Sequence, residues 1–176
     1  MKRTITHLFL LAALVITGCE SAQVPMGSPG EVAFDEGLIG NWEAKGDNDE
    51  IVSFLSISAL SDTEYALIYK EPDEDESEQL NLKAFASSVD GVLFANFTCS
   101  ICDDDDDEKE AEWYFYTFSF ESKDIIVSKS LAEDVYKKGL DDLKNPAQVR
   151  SYIQAHMNDK EFFEQETARF SRVKNP

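Results

Sequence analysis

Two cysteines separated by two residues, Cys99 and Cys102, are the most prominent residues in the sequence that could do chemistry. This spacing occurs in zinc sites, in redox dithiols and in short disulfide loops. Zinc takes about four ligands, and His156 is the only histidine outside the first ten residues, so we expect no metal site. A reactive dithiol needs a stabilised thiolate, whereas the acidic run 103–108 favours the neutral thiols. A structural disulfide is the favoured interpretation.

Calcium binding is the second chemistry to consider, because acidic runs occupy residues 103–108 and 73–76. Calcium takes several carboxylate and carbonyl oxygens, as in the Asp-x-Asp-x-Asp-Gly loop of an EF-hand with its closing glutamate. Neither run has that spacing. Consecutive acidic residues in a hairpin loop point in divergent directions, so we interpret both runs as solvated loops.

Catalytic residues are not indicated by any spacing in the chain. His156 lies on a predicted helix without a recognisable nucleophile motif, so we interpret it as a surface or partly buried histidine. Carboxylate pairs are too numerous for spacing to single one out. We therefore predict no catalytic residue, no cofactor and a non-enzymatic protein, with an enzyme whose site is unrecognised as the alternative.

The N-terminus has the features of a secretory signal. Lys2 and Arg3 precede a short apolar run over residues 8–16, and small residues follow it. The run is shorter than the roughly 20 apolar residues that span a bilayer. Its end, Ile16-Thr17-Gly18-Cys19, resembles the bacterial lipobox, which is an aliphatic residue, two small residues and a cysteine.

This resemblance implies that residues 1–18 are removed and that the Cys19 thiol carries a diacylglyceryl group. Two or three acyl chains give a durable membrane anchor, whereas one is marginal. Glu20 in the next position implies the outer membrane or the periplasmic face rather than retention at the cytoplasmic membrane. That cell-envelope compartment is oxidising, which favours the disulfide between Cys99 and Cys102.

Charge restricts the partners of the chain. The sequence has 35 acidic and 16 basic residues and a formal net charge of −19. Such a surface repels nucleic acid and anionic headgroups, so we predict no nucleic-acid binding. Beyond the membrane itself, the expected partner is a protein with basic groups. The plainer interpretation of the charge is solubility.

The chain is predicted to contain a signal peptide (1–18), a flexible tether (19–36) and one domain (37–176). The tether is rich in proline, glycine and polar residues. Short β-branched and aromatic segments separated by turn residues then predict an antiparallel barrel or sandwich. The predicted strands are 40–44, 51–59, 64–69, 79–86, 92–98, 113–120 and 125–130.

The C-terminal part changes to a helical period. Asn145 and Pro146 predict a helix start, and apolar residues follow at helical spacing. Asp159 is predicted to cap a second short helix containing Phe162 and Phe163. Residues 131–143 are assigned to a helix, and 168–173 to a final strand.

Gly40-Asn41-Trp42 resembles the Gly-x-Trp opening of lipocalin-like barrels, and in particular of uncharacterised bacterial lipoproteins of this type. The resemblance implies a mainly β, antiparallel meander barrel, with C-terminal helices and a closing strand. It also implies that Trp42 plugs one barrel end, with a basic side chain of the last strand packed across it. Arg172 is the first candidate for that side chain and Arg169 the second.

Large side chains on the strands predict a filled interior, since a barrel of about eight strands is only just wide enough for side chains or one small ligand. The residues predicted to point inward are Trp42, Phe54, Tyr65, Phe94, Trp113 and Phe115, with Tyr114, Tyr116 and Phe118 on the other face. This pattern favours a lipid-anchored binding or interaction module. A carrier of a small lipid or another hydrophobic ligand is the alternative.

Overall fold

Eight strands form a closed antiparallel barrel in a computed structural model that describes residues 21–33, 35–73, 79–99, 112–164 and 168–174. Each strand pairs with the next along the chain, and the last pairs with the first, so the predicted meander barrel with a closing strand is confirmed. The strands are β1 (Gly40–Lys45), β2 (Ile51–Ala59), β3 (Tyr65–Lys70), β4 (Leu80–Val89), β5 (Val92–Cys99), β6 (Tyr114–Ser122), β7 (Ile125–Ser130) and β8 (Ala168–Arg172).

Connections alternate between the two ends of the barrel because neighbouring strands are antiparallel. We call one end the loop end; it holds the connections β1–β2, β3–β4, β5–β6 and β7–β8. The opposite turn end holds the connections β2–β3, β4–β5 and β6–β7, and the last two are two residues long. The β4–β5 connection is the dipeptide Asp90-Gly91, and both residues have positive φ angles, 49° and 81°. This is the backbone that a tight two-residue hairpin requires.

Side chains from all eight strands pack together in the barrel interior. Phe97 anchors one side of it, with Tyr116 and Phe118 packed edge-on at ring-centroid distances of 5.1 and 6.1 Å. The buried members of this interior core are Trp42, Ala44, Leu55, Ile57, Tyr65, Leu67, Tyr69, Ala84, Phe97, Ile126 and Phe170.

A second core lies outside the barrel, over β4–β6. Several side chains therefore face the opposite side of the sheet from the one predicted. Phe94 and Phe115, predicted to point inward, are buried in this outer core, and Trp113 packs against it. Tyr114 and Tyr116, predicted to face away, pack against the interior core together with Phe118.

The error has a physical cause. The first part of β6 is covered on both sides, by the outer core at Phe115 and by the interior core at Tyr114 and Tyr116. These three consecutive aromatic residues give no polar phase that marks the outside.

Phe54 was also predicted to point inward, but it lies outside the interior core with the Lys70 ammonium 5.9 Å from its ring. The assignment of Trp42 and Tyr65 to the interior is correct.

Two helical elements in the β7–β8 connection cover the outer core. The first, α1 (Glu133–Val135), continues directly as a π-helical turn over Tyr136–Leu140. The second, α2 (Pro146–His156), begins as predicted: the Asn145 side chain accepts a hydrogen bond from the Gln148 amide at 3.0 Å. The outer core comprises Ala22, Met26, Val89, Phe94, Phe115, Leu131, Val135, Tyr136, Leu140, Val149, Ile153 and Phe162.

The second short helix predicted after Asp159 is absent from described residues 159–164. The backbone there pairs with the end of β7 instead. Phe163 forms a β-bridge with Leu131, and the Ala132 amide donates to the Phe162 carbonyl at 3.0 Å. The buried Phe162 ring fills the outer core, so tertiary packing overrides the local capping signal.

Candidate functional site

Trp42 closes the turn end of the barrel together with Arg172. The indole is fully buried and donates from Nε1 to the Leu38 carbonyl at 2.9 Å. Arg172 lies opposite Trp42 in the β1–β8 ladder, and its guanidinium carbon is 4.1 Å from the indole centroid. The same guanidinium donates to the carbonyls of Ile39 at 2.9 Å and Gly37 at 2.7 Å. The predicted tryptophan–arginine contact is therefore present.

Gly40 makes this closure possible. Its φ angle is +144°, and a Cβ atom at this position would lie 2.5 Å from Arg172 Nη1. The glycine of Gly-x-Trp is thus required both by the backbone and by the arginine above it. Arg169, the second candidate, pairs instead with the exposed Glu121 carboxylate at 2.8 Å. That hydrogen bond lowers the pKa of Glu121.

Tyr65 completes the packing at this end. Its hydroxyl accepts a hydrogen bond from the Asp35 amide at 2.7 Å. Burial raises the pKa of Tyr65 to about 12, so the phenol is neutral at physiological pH. The guanidinium of Arg172 is already bonded to two carbonyls. This group of residues is therefore suited to joining the chain's entry to its last strand rather than to binding an anion.

Residues 21–33, which we call the strap, lie along the outside of the barrel. At the loop end, Ala22 and Trp113 exchange two backbone hydrogen bonds of 2.9 Å each. Gly30 lies at the turn end, beside Thr63. The strap belongs to the stretch predicted as a flexible tether, but Ala22 and Met26 are fully buried in the outer core. Composition predicted a flexible tether because the strap has few apolar residues. Those few are enough to dock it, since the barrel supplies the rest of the apolar surface.

Asn96 holds the centre of the strap. Its side chain is fully buried, and Oδ1 accepts from the Met26 amide at 2.8 Å. Nδ2 donates to the Phe85 carbonyl at 3.2 Å and to Ser87 Oγ at 3.0 Å. This polar residue was not singled out from the sequence. Its signal was an amide inside an apolar strand, which needs a buried partner.

Helix α2 supports the strap from the other side. Arg150 forms an ion pair with Glu31 and donates to the Met26 carbonyl at 3.4 Å. Lys144, just before the helix, is hydrogen-bonded to Gln23. These contacts link residues more than 100 positions apart, so no local pattern could have predicted them.

An acidic groove of about 440 Å³ lies between α1, α2 and the segment before β8. His156 Nδ1 is 2.9 Å from Asp159 Oδ2, and the Tyr152 ring lies 4.5 Å from the imidazole. The Asp134 carboxylate, hydrogen-bonded to Lys138, raises that lysine's pKa. The lining residues are Ala132, Glu133, Asp134, Val135, Lys138, Tyr152, His156, Asp159, Glu161, Phe162 and Glu164.

The lining of this groove is mainly acidic, and Lys138 and His156 are its basic members. Its described lining contains no serine, threonine or cysteine beside the His156–Asp159 pair. Among the described residues, no group of three or more histidine, cysteine or acidic side chains is arranged to hold a metal ion.

A smaller cleft of about 240 Å³ separates the strap from β4. Phe85 and Trp113 meet edge-to-face in its wall at 5.7 Å, and Pro25 and Pro29 come from the strap. Lys83 supplies a basic group. The cleft is below the roughly 300 Å³ at which small-molecule sites usually begin.

Charge is distributed unequally between the two ends of the barrel. Three loop-end connections, 46–50, 71–79 and 100–112, contain three, six and eight acidic residues and a single lysine. They hold nearly half of the 35 acidic residues of the chain. The acidic residues of the sequence are therefore concentrated in connections between strands that end at the loop end.

Several predicted residues lie outside the described part of the chain. Cys19 and Cys102 are among them, and of Cys99 only the backbone is described, paired with Leu82 at the end of β5. Lipidation of Cys19 and the disulfide thus remain predictions. Within the described residues, no helix is long and apolar enough to cross a membrane. The chain matches no family model, no curated protein and no solved structure.

Proposed function

We propose that this chain is a lipid-anchored protein of the bacterial cell envelope and that its barrel is an interaction module, not an enzyme or a carrier. The lipid anchor is supported by the sequence Ile16-Thr17-Gly18-Cys19. The observation that carries the second part is the apolar core of the barrel interior, where side chains from all eight strands pack on one another. Recognition then falls to the outer surface.

The partner that suits this surface carries basic groups. The loop-end connections concentrate carboxylates, and their field attracts cationic segments and raises the rate of encounter. The acidic groove at α2 adds a second region of the same sign. A charged surface of this kind gives specificity and association rate more than affinity.

Anchoring is tested by cell fractionation with Cys19→Ser. The wild-type protein is expected in the membrane fraction, and the variant in the soluble fraction or as an unprocessed precursor. Processed, membrane-bound Cys19→Ser protein would contradict the anchor.

Partner binding is tested with an arginine-rich model peptide and two triple variants of equal net charge. One variant neutralises Asp47, Asp49 and Glu50 at the loop end, and the other neutralises Glu133, Asp134 and Glu161 beside the groove. We expect the loop-end variant to lose more affinity. Equal losses of affinity in the two variants would show that peptide binding depends only on net charge and would contradict a loop-end site. A serine-rich peptide of the same length is the control.

A disulfide between Cys99 and Cys102 belongs to the same proposal, because the envelope is oxidising. Only two residues lie between the cysteines, so the bridge would restrain the loop end with little entropic gain for the whole fold. Intact mass after alkylation, with and without reductant, is the measurement. Free thiols in protein isolated from the envelope would contradict the bridge.

Ligand carriage is the second candidate function, favoured by the cleft between the strap and β4. Phe85 and Trp113 form its aromatic wall, and Lys83 could meet an acidic headgroup, although Glu64 also lines the cleft. Native mass spectrometry of gently purified protein separates the two proposals. A stoichiometric small molecule that is lost on Phe85→Ala would favour the carrier over the interaction module.

A further inference from the structure

The strap limits where the membrane anchor can lie relative to the barrel. Cys19 precedes Ala22 by three residues, and an extended chain spans at most about 3.6 Å per residue. The Cys19 backbone is therefore within about 11 Å of the Ala22–Trp113 bridge. That bridge lies directly before β6 begins, at the loop end.

We infer that the docked strap orients the barrel, with its acidic loop end towards the bilayer and its Trp42–Arg172 end away from it. This inference rests on the proposed lipidation of Cys19. If residues 19–36 formed a free tether, the barrel could take any orientation. The two residues between Cys19 and Ala22 allow far less freedom.

Contacts with both the barrel and α2 keep the strap docked. The bridge between Ala22 and Trp113 fixes its first residues, and the buried Asn96 amide fixes Met26. The Arg150–Glu31 ion pair holds its far part against α2. Peeling the strap away would expose Ala22 and Met26, both fully buried, so the docked state is favoured.

The orientation defines the kind of partner the acidic end can meet. The strands have five to ten residues, so a rise of about 3.3 Å per residue and a tilt of about 40° make the barrel about 20 Å tall. The turn end then lies well above the headgroups, while the loop-end carboxylates lie near them. A basic partner that binds the loop end must present its cationic groups at the membrane surface.

The experiment measures energy transfer from two labelled positions to acceptors on lipid headgroups. The lipidated full-length mature protein is reconstituted in phosphatidylcholine vesicles containing a headgroup-labelled lipid. A clickable phenylalanine analogue replaces Asp47 at the loop end or Asp62 at the turn end. Both positions are exposed acidic residues in connections, so the two variants are matched in charge and burial.

Transfer from position 47 is expected to exceed transfer from position 62 by about twofold or more, given the height of the barrel. Inserting about ten glycine and serine residues after Glu20 should reduce the difference, because a flexible linker of that length removes the constraint. This insertion lies before the strap and leaves its contacts intact.

Equal transfer from both positions, or greater transfer from position 62, would overturn the orientation while leaving the anchor standing. So would a difference that the insertion does not change. Failure of the processed protein to associate with vesicles or membranes at all would instead overturn the lipidation of Cys19. The two failures are therefore distinguishable.

Discussion

The contact between Arg172 and Trp42, predicted from the sequence, closes the turn end of the barrel. The guanidinium lies over the indole and also donates to two carbonyls of the segment that enters β1. One side chain thus connects the entry of the barrel to its last strand. Arg169 is three residues away on the same strand but forms only an exposed ion pair with Glu121, so the two arginines form a natural comparison.

Arg172→Ala is expected to lower the free energy of unfolding by about 2–3 kcal/mol, because the cation–π contact and two carbonyl hydrogen bonds are lost. Arg169→Ala should cost less than about 1 kcal/mol, as for other exposed ion pairs. Urea unfolding of both variants is the measurement. Arg172→Lys keeps the charge without the planar fork and should fall between wild type and Arg172→Ala. Equal effects of the two alanine variants would contradict a closing role for Arg172.

Tyr65 gives a prediction about alkaline pH. Its folded pKa of about 12 lies above the ordinary value of 10.0 because burial disfavours the phenolate. The stabilising contribution is complete below pH 10 and is lost as the pH rises towards 12, by up to about 2–3 kcal/mol. Tyr65→Phe should weaken the decline of stability in this window.

At neutral pH, Tyr65→Phe should cost about 1 kcal/mol, since the Asp35 amide loses its acceptor. Urea unfolding at pH 7 and at several values between pH 10 and 12 gives both quantities. A wild-type and a variant profile that fall in parallel above pH 10 would show that Tyr65 does not titrate in the unfolding equilibrium.

At the scale of elements, the strap and α2 form one unit on the outer face of β4–β6. The strap supplies Ala22 and Met26 to the outer core, and α2 supplies Val149 and Ile153. Neither covers the sheet alone. Their joint packing explains why Phe115, at the start of β6, and Trp113, just before it, are aromatic on the outer side.

Asn96→Ala is expected to loosen the strap selectively. The change leaves the buried Met26 amide without its acceptor, which should cost about 2 kcal/mol. Amides of the strap should exchange faster, while those of β1–β3 change little, and hydrogen exchange read by mass spectrometry measures this. Asn41→Ala, an exposed residue of β1, is the matched control. Uniformly faster exchange would argue for a general loss of stability instead.

At the scale of the whole molecule, the fold gathers acidic connections at one end. The connections are far apart in sequence, but the alternation of an antiparallel meander brings three of them to the same end. The docked strap begins at that same end. Charge and the proposed anchor are therefore linked by topology, which makes their relation to the bilayer testable.

Salt is expected to stabilise the protein, because the net charge of −19 makes the compact state repel itself. At low ionic strength the Debye length is about 30 Å and exceeds the spacing of the loop-end carboxylates, whereas at 0.15 M it is about 8 Å. The urea midpoint should rise between these conditions. Neutralising Asp47, Asp49 and Glu50 together should reduce the rise. A urea midpoint that does not change with salt would contradict the expected repulsion between the carboxylates.

Much of the architecture could be predicted because local rules and tertiary packing agree. Turn residues and β-branched segments predicted seven strands in the right places, and the closing strand predicted over 168–173 is observed as Ala168–Arg172. Gly40 and Trp42 together with Arg172 indicated the barrel end, since the glycine conformation and the aromatic–cation contact each require those residue types. Asn145 and Pro146 predicted the start of α2 for the same local reason.

Only the tertiary structure decided which strand segments are covered on both sides of the sheet and which residues far apart in sequence are in contact. The face of β6 could not be read from alternation, because the helices and the strap cover its outer side. The strap was predicted as a tether because its contacts with Asn96 and Trp113 form only in the folded protein and leave no local pattern in the sequence. The sequence by itself determined the strands, their closure and the acidic character. Long-range packing, which has no local signature, decided how the acidic end and the start of the strap come together.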